Sequence, residues 1–186
     1  EPRGVAVAGD GTVYVADAGN HRIQHLTDEG AVLDAWGGTG RHEGRFNEPS
    51  GVAVDADGRV YVADTLNNRV QVFEPDGTRV DGWGRFGAER GRFANPYGIA
   101  VGPDGDVYVA DTFNNRVQRF TAGGRFIEEW REQMRRPVAV AVTGRGELIV
   151  ADSSARAIRQ YDEEGQRRAV WGLRGTADGA MDHPQG

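Results

Sequence analysis

Apolar residues along the chain come in short runs rather than at helical spacing. Over one representative stretch, Gly51-Val-Ala-Val54, Val60-Tyr-Val-Ala63, Val70-Gln-Val-Phe73 and Val80 to Trp83 are separated by Asp57-Gly58, Asn67-Asn68 and Pro75-Asp-Gly77. Runs rich in β-branched and aromatic residues, each closed by Asp-Gly or Asn-rich turn chemistry, predict four antiparallel strands, a to d, joined by hairpins. Strands a and b are apolar on both faces, with Ala53 and Ala63 at the alternate positions, so the sheet they form must be covered on both sides. No stretch of useful length repeats every 3.6 residues, which excludes a helical solenoid.

The pattern recurs. VYVADTLNNRVQVF at 60–73 returns as VYVADTFNNRVQRF at 107–120, as VYVADAGNHRIQHL at 13–26, and in worn form as LIVADSSARAIRQY at 148–161. Pro2, Pro49, Pro96, Pro137 and Pro184 are 47, 47, 41 and 47 residues apart, and Trp36, Trp83, Trp130 and Trp171 keep the 47, 47, 41 spacing. A period of this size marks one supersecondary unit per repeat. Small sheets with two apolar faces bury them by stacking radially, so the chain is expected to be an all-β protein with four four-stranded antiparallel propeller blades. The blades fall at 2–47, 49–95, 96–136 and 137–183, and residues 184–186 match the opening of a further repeat. The chain thus begins at one unit boundary and stops just past another, which predicts a propeller completed by further blades or by assembly.

Pro-x-Gly-Val/Ile-Ala-Val, Val-Tyr-Val-Ala-Asp, Asn-x-Arg-Val/Ile-Gln and the closing Trp-Gly with a Gly-x-Phe linker resemble the NHL repeat family from Pro2 to His183. The resemblance implies a propeller, most often six-bladed, that presents a face to partners. It brings no catalytic motif.

Composition narrows the chemistry. There is no Cys, so no disulfide and no thiolate metal site. No apolar run approaches the ~18 residues that span a bilayer. All 22 basic residues are Arg, and the net charge of −6 disfavours nucleic acid as the partner. Strand alternation puts the b–c and d–a loops at one end of each blade and the a–b and c–d loops at the other. The d–a linkers carry 9 Arg against 6 acids, whereas the a–b and c–d loops carry 13 acids against 6 Arg. The linker face is therefore the one expected to steer an acidic partner.

Residues that repeat are expected to be structural, since an active site is needed once and a structural device once per blade. Asp17 with Arg22, Asp64 with Arg69 and Asp111 with Arg116 are each five residues apart across the b–c turn and are expected to stabilise it. Blade 4 keeps Asp152 but has Ala157 in the Arg place, with Arg156 one residue early. Phe46, Phe93, Met134 and Met181, each three residues before a proline, are expected to anchor one blade to the next. Asp55-Ala-Asp57-Gly58 and Asp104-Gly-Asp106 read as hairpin turns, lacking the later ligands of a calcium loop. None of His21, His25, His42 and His183 lies on an a strand, no metal site is expected, and no nucleophile motif is present.

Function is expected where the repeats differ. After each proline come Arg3, Ser50, Tyr97, Val138 and Gln185, at the entrance of strand a, and the b–c turns carry Gly19, Leu66, Phe113 and Ser154. Leu66, Tyr97 and Phe113 form one candidate apolar patch, rimmed by Arg85, Arg90 and Arg92, with the composition of a protein or peptide hot spot. The alternative is that Leu66 and Phe113 tuck against the adjacent blade. The expected role is non-catalytic recognition without a cofactor. A propeller-fold lyase or hydrolase with an axial metal, or single-stranded RNA binding, are the alternatives.

Overall fold

A computed structural model describes residues 1–172 together with Met181 and Pro184. Sixteen strands form four separate four-stranded antiparallel sheets in simple meander order. Blade 1 consists of β1 (Pro2–Val7), β2 (Val13–Asp17), β3 (Arg22–Leu26) and β4 (Val32–Gly37). Blade 2 consists of β5 (Pro49–Val54), β6 (Val60–Asp64), β7 (Arg69–Phe73) and β8 (Arg79–Trp83). Blade 3 has β9 (Pro96–Val101), β10 (Val107–Asp111), β11 (Arg116–Phe120) and β12 (Phe126–Trp130). Blade 4 has β13 (Pro137–Val142), β14 (Leu148–Asp152), β15 (Ala157–Tyr161) and β16 (Arg167–Trp171). The a-strand proline sits opposite the b-strand aspartate in every blade, as in Pro49 against Asp64, followed by a register shift.

The inner strands β1, β5, β9 and β13 pack side by side in chain order, and among the described residues no comparable packing joins β13 back to β1. The apolar core therefore lies between blades. Tyr14, Ala16, Ile23 and Phe46 on the trailing side of blade 1 meet Val52, Val60, Val62 and Phe73 on the leading side of blade 2. Equivalent clusters join blade 2 to 3 and blade 3 to 4. Each closing tryptophan leans on the next blade, Trp36 on Phe73 at 5.9 Å, Trp83 on Phe120 at 5.6 Å and Trp130 on Tyr161 at 6.4 Å between ring centres. The linker residues Phe46, Phe93 and Met134 are buried in these clusters. Phe46 and Phe93 lie against Gly37 and Gly84, where a Cβ would come within 2.6 and 2.5 Å of the ring. The fourth anchor, Met181, contacts Gly172, while the linker around it and residues 182, 183, 185 and 186, including His183 and Gln185, lie outside the described residues.

Candidate functional site

Strand a pairs only with strand b, so its other edge leaves backbone N–H and C=O groups free. The inner strands of all four blades converge on one open trough of about 770 Å³. Its walls are the opening residues of β1, β5, β9 and β13, and it gathers Arg3, Ser50, Tyr97 and Val138, the variable positions after each proline, together with Arg136 and Ser153. Ser50 is buried and its hydroxyl meets that of Thr65, which donates to the carbonyl of Pro96 at 2.8 Å. Arg3 pairs with Glu48 at 3.0 Å. Arg136 lies over the ring of Phe113 at 5.4 Å, so Phe113, exposed on the b–c turn, borders the trough through a cation.

Leu66 belongs to a different place. It lines a shallow recess of about 350 Å³ with Phe86, Arg41, Asn67, Asn68 and Arg69. Phe86 is 72% exposed. The expected patch thus resolves into two clusters on one loop face, Tyr97 with Arg136 and Phe113 at the axis, and Leu66 with Phe86 in the recess. The expected arginine rim is also different. Arg92 turns to Glu89 at 3.3 Å, and Arg90 lies over Phe126 and toward Glu129, because those partners are nearer on the same linker and on β12. Arg85 is exposed beside them, its carbonyl taken by the N–H of Phe93. Arg41, Phe86 and Arg136 went unnoticed in the sequence. Phe86 holds the register of Thr39 in the preceding linker, so it is another position at which the repeats differ.

Below this surface the repeated polar residues form a clamp. Asp64 accepts hydrogen bonds from the N–H of Asn47 at 2.8 Å, from Asn67, from Arg69 Nε at 2.7 Å and from Gln71 at 3.1 Å. Arg69 and Gln71 also donate to carbonyls of His42 and Arg45 in the preceding linker. Asp111 repeats the arrangement with Ala94, Asn114, Arg116 and Gln118. Asp17 keeps Asn20, Arg22 and Gln24. In blade 4, Asp152 takes the N–H groups of Arg135 and Arg136, and its guanidinium comes from Arg159, which stands in the glutamine place two residues beyond Ala157. These residues lock each linker onto the next b–c turn and thereby hold the loop face rigid. Burial pushes the Asp64 and Asp111 carboxyls above the usual carboxylate range, opposed by the hydrogen bonds they accept.

The b–c turns are short 3-10 segments at 18–20, 65–67 and 112–114, each followed by a left-handed residue, His21, Asn68 or Asn115. Asparagine tolerates that conformation best among residues with a Cβ. Its side chain also serves the linker, as Asn68 Oδ1 accepts from the N–H of Asn95 at 2.8 Å and His21 Nδ1 from that of Glu48 at 3.0 Å. Asn68→Ala is expected to cost about 2 kcal/mol, the sum of left-handed strain and one lost hydrogen bond, read as a lower urea midpoint. Asn68→Gly should recover about half.

The described histidines, His21, His25 and His42, lie elsewhere than the trough. His25 stacks on Tyr14 at 4.1 Å between ring centres, and the carbonyl of His42 serves Arg69. Asp55 caps its own hairpin by accepting from the N–H groups of Asp57 and Arg59, and Asp104 and Asp106 pair with Arg119. Among the described residues no group of three or more His, Asp or Glu is arranged to hold a metal ion, and no helix is long and apolar enough to cross a membrane.

The NHL repeat model matches residues 1–26, 46–73 and 93–120. No curated protein matches the chain. Solved structures share its fold. Selenomethionine-substituted virginiamycin B lyase from Staphylococcus aureus superposes with a TM-score of 0.72 at 19% identity, over 96% of this chain and 57% of that one. Hydrazine synthase from Kuenenia stuttgartiensis gives 0.72 at 19%, over 91% and 48%. A protein of unknown function from Bacteroides caccae gives 0.71 at 16%, over 91% and 66%. This chain therefore spans less than two thirds of each of them, and the likeness is one of fold.

Proposed function

We propose that this chain, which matches the NHL repeat model at 1–26, 46–73 and 93–120 and folds as consecutive propeller blades, is a non-catalytic recognition module whose loop face binds an extended, acidic segment of a protein or peptide. One observation carries the reading: the positions that differ between otherwise matching repeats, Arg3, Ser50, Tyr97 and Val138, all line a single open trough walled by free strand edges. Free edges offer backbone hydrogen bonds to an extended chain. Arg3, Arg136 and Arg41 supply positive charge on the same face, and Tyr97, Phe113 and the outlying Phe86 supply aromatic contact area of the kind that dominates hot spots.

The lyase alternative draws on likeness of fold. The described lining of the trough holds one carboxylate, Glu1, and no histidine for acid–base work. Single-stranded RNA meets a chain of net charge −6.

Selection from a displayed library of random peptides tests the reading. Enrichment of peptides rich in Asp and Glu with interspersed apolar residues is expected, with binding that weakens as salt rises. Tyr97→Ala should weaken the selected peptides roughly thirtyfold, the loss typical of a central aromatic, and Phe86→Ala by a smaller factor, both with unchanged melting. A pool without enrichment, or one bound equally by Tyr97→Ala, would overturn it.

A further inference from the structure

The recess between the linkers of blades 1 and 2 has walls that are held in place before anything binds. The carbonyls of Gly40 and His42, on either side of Arg41, accept from Asn67 and Arg69, each at 2.8 Å. Leu66 is fixed by its own N–H, which donates to the Asn47 carbonyl at 3.0 Å. Phe86 stands on a bridge to Phe93, whose N–H donates to the Arg85 carbonyl and whose carbonyl accepts from the Gly87 N–H, each at 3.0 Å. The side chains these walls present have no partner inside the fold. The Phe86 ring is 72% exposed and Leu66 is 37% exposed. Among the described residues the exposed Arg41 has no ion pair. The acids of both bordering linkers are engaged elsewhere, Glu43 with Arg79, Glu48 with Arg3 and Glu89 with Arg92.

The corresponding place in blade 3 is covered by the chain itself. Ala88 and Phe113 there hold the register of Arg41 and Leu66. Arg131 reaches the Ala88 carbonyl at 3.5 Å, and Arg136 lies over the Phe113 ring at 5.4 Å. Blade 2 has Gly84 and Asn95 at those two covering positions, and neither has an arginine's reach. The charge is also inverted. Blade 3 covers the place with guanidinium groups, whereas blade 2 offers a guanidinium to be covered, so the complementary cover is an anion with an apolar body.

We infer that this recess binds a carboxylate carried close to an apolar or aromatic group within one residue or one small molecule. The Arg41 guanidinium matches a planar carboxylate bidentately, and Leu66 and Phe86 give the attached group its contact area. Walls already ordered cost little to bind against. A volume of about 350 Å³ lies at the small end of the roughly 300–1,000 Å³ of ligand pockets, which suits a single residue. One guanidinium on a chain of net charge −6 disfavours a more highly charged anion. The free C-terminus of a peptide ending in an aromatic residue and a small aryl carboxylate share this chemistry. The recess has walls of its own, apart from the trough, and the inference does not rest on the peptide reading.

Backbone N–H signals of the chain, followed by NMR during titration with N-acetylphenylalanine, its C-terminal amide and inorganic phosphate, test this. The acid is expected to bind with a Kd on the order of 1 mM, as suits its size, and to move the signals of residues 40–42, 66–69 and 85–87. The amide should bind about tenfold more weakly, and phosphate should leave these signals in place. Arg41→Gln should weaken the acid roughly tenfold, the loss of one charge-assisted contact, with unchanged melting and little effect on the amide. Phe86→Ala should weaken acid and amide alike. Tyr97→Ala should leave binding of the acid unchanged, which separates this site from the trough. Equal binding of acid and amide, shifts that lie elsewhere or are matched by phosphate, indifference to Arg41→Gln, or no shift at all would overturn the proposal. Once the acid is bound as expected, a peptide ending in phenylalanine distinguishes the sources: tighter binding than the acid upholds the site as one for a peptide C-terminus, and equal binding upholds it as one for the small acid.

Discussion

Arg116→Ala is expected to destabilise the fold by about 3–5 kcal/mol, because it strands a carboxylate that has no access to water. Arg116 is fully buried, and each of its three nitrogens donates: Nε to Asp111 at 2.6 Å, Nη1 to Glu129 at 2.8 Å, and Nη2 to the carbonyls of Glu89 and Arg92, each at 2.8 Å. Truncation also frees the linker 84–95 from the b–c turn of blade 3. For a chain of this length such a loss lowers the melting temperature by roughly 10 °C. The same substitution at Arg22, whose side chain is 42% exposed and pairs with Asp17 near the chain start, should cost no more than about 1 kcal/mol, as exposed ion pairs do. The comparison separates burial from sequence position, since both arginines hold one place in the repeat.

The pH dependence of that loss has a definite sign. Burial already raises the Asp111 carboxyl against the pull of Asn114 and Arg116, and without the guanidinium it rises further. A carboxyl whose folded pKa lies above its unfolded value binds more protons when folded, so stability falls as pH rises from the unfolded pKa through the folded one. The deficit of Arg116→Ala should accordingly be full near neutral pH and shrink on acidification toward the ordinary aspartate range.

Phe93→Ala is expected to cost about 3–5 kcal/mol as well, by a different mechanism: it opens a cavity in the core between blades 2 and 3. The ring is completely buried, 5.6 Å from Phe120 between centres, and is flanked by Gly84, which has no side chain to fill the gap. Phe93→Leu should retain most of the stability. Met134 does the same work in blade 3 with a six-residue-shorter linker behind it, so an unbranched apolar side chain is enough at this point. Urea unfolding of the pair decides between a packing role and a purely steric one, since a spacer would tolerate alanine.

The strands, the blade order and the linker anchors were legible because they depend on short-range signals repeated four times. Each copy of Val-Tyr-Val-Ala-Asp is ambiguous alone, and the fixed spacing removes the ambiguity. The variable residue after each proline also pointed to one place, since every a strand enters the same end of its blade; the trough at 3, 50, 97 and 138 is the outcome. Side-chain reach was not legible. Arg159 replaces the missing clamp arginine from two positions further along β15, because its longer side chain spans the distance that glutamine covers in the other blades with help from Arg69 or Arg116. Likewise Arg90 and Arg92 looked like a rim because they are close in sequence to Tyr97, yet Glu129 and Glu89 compete for them. Phe86 was passed over because it sits in a glycine-rich linker, where exposed aromatic residues have no periodic neighbours to draw notice.

Deuterium exchange of the chain with and without an enriched acidic peptide tests the central claim most directly. The account predicts added protection at the starts of β5, β9 and β13 and in the turns at 65–67 and 112–114, and none at the opposite loops 55–59 and 102–106. Protection confined to those opposite loops, or a bound peptide that leaves the trough strands unchanged, would contradict it.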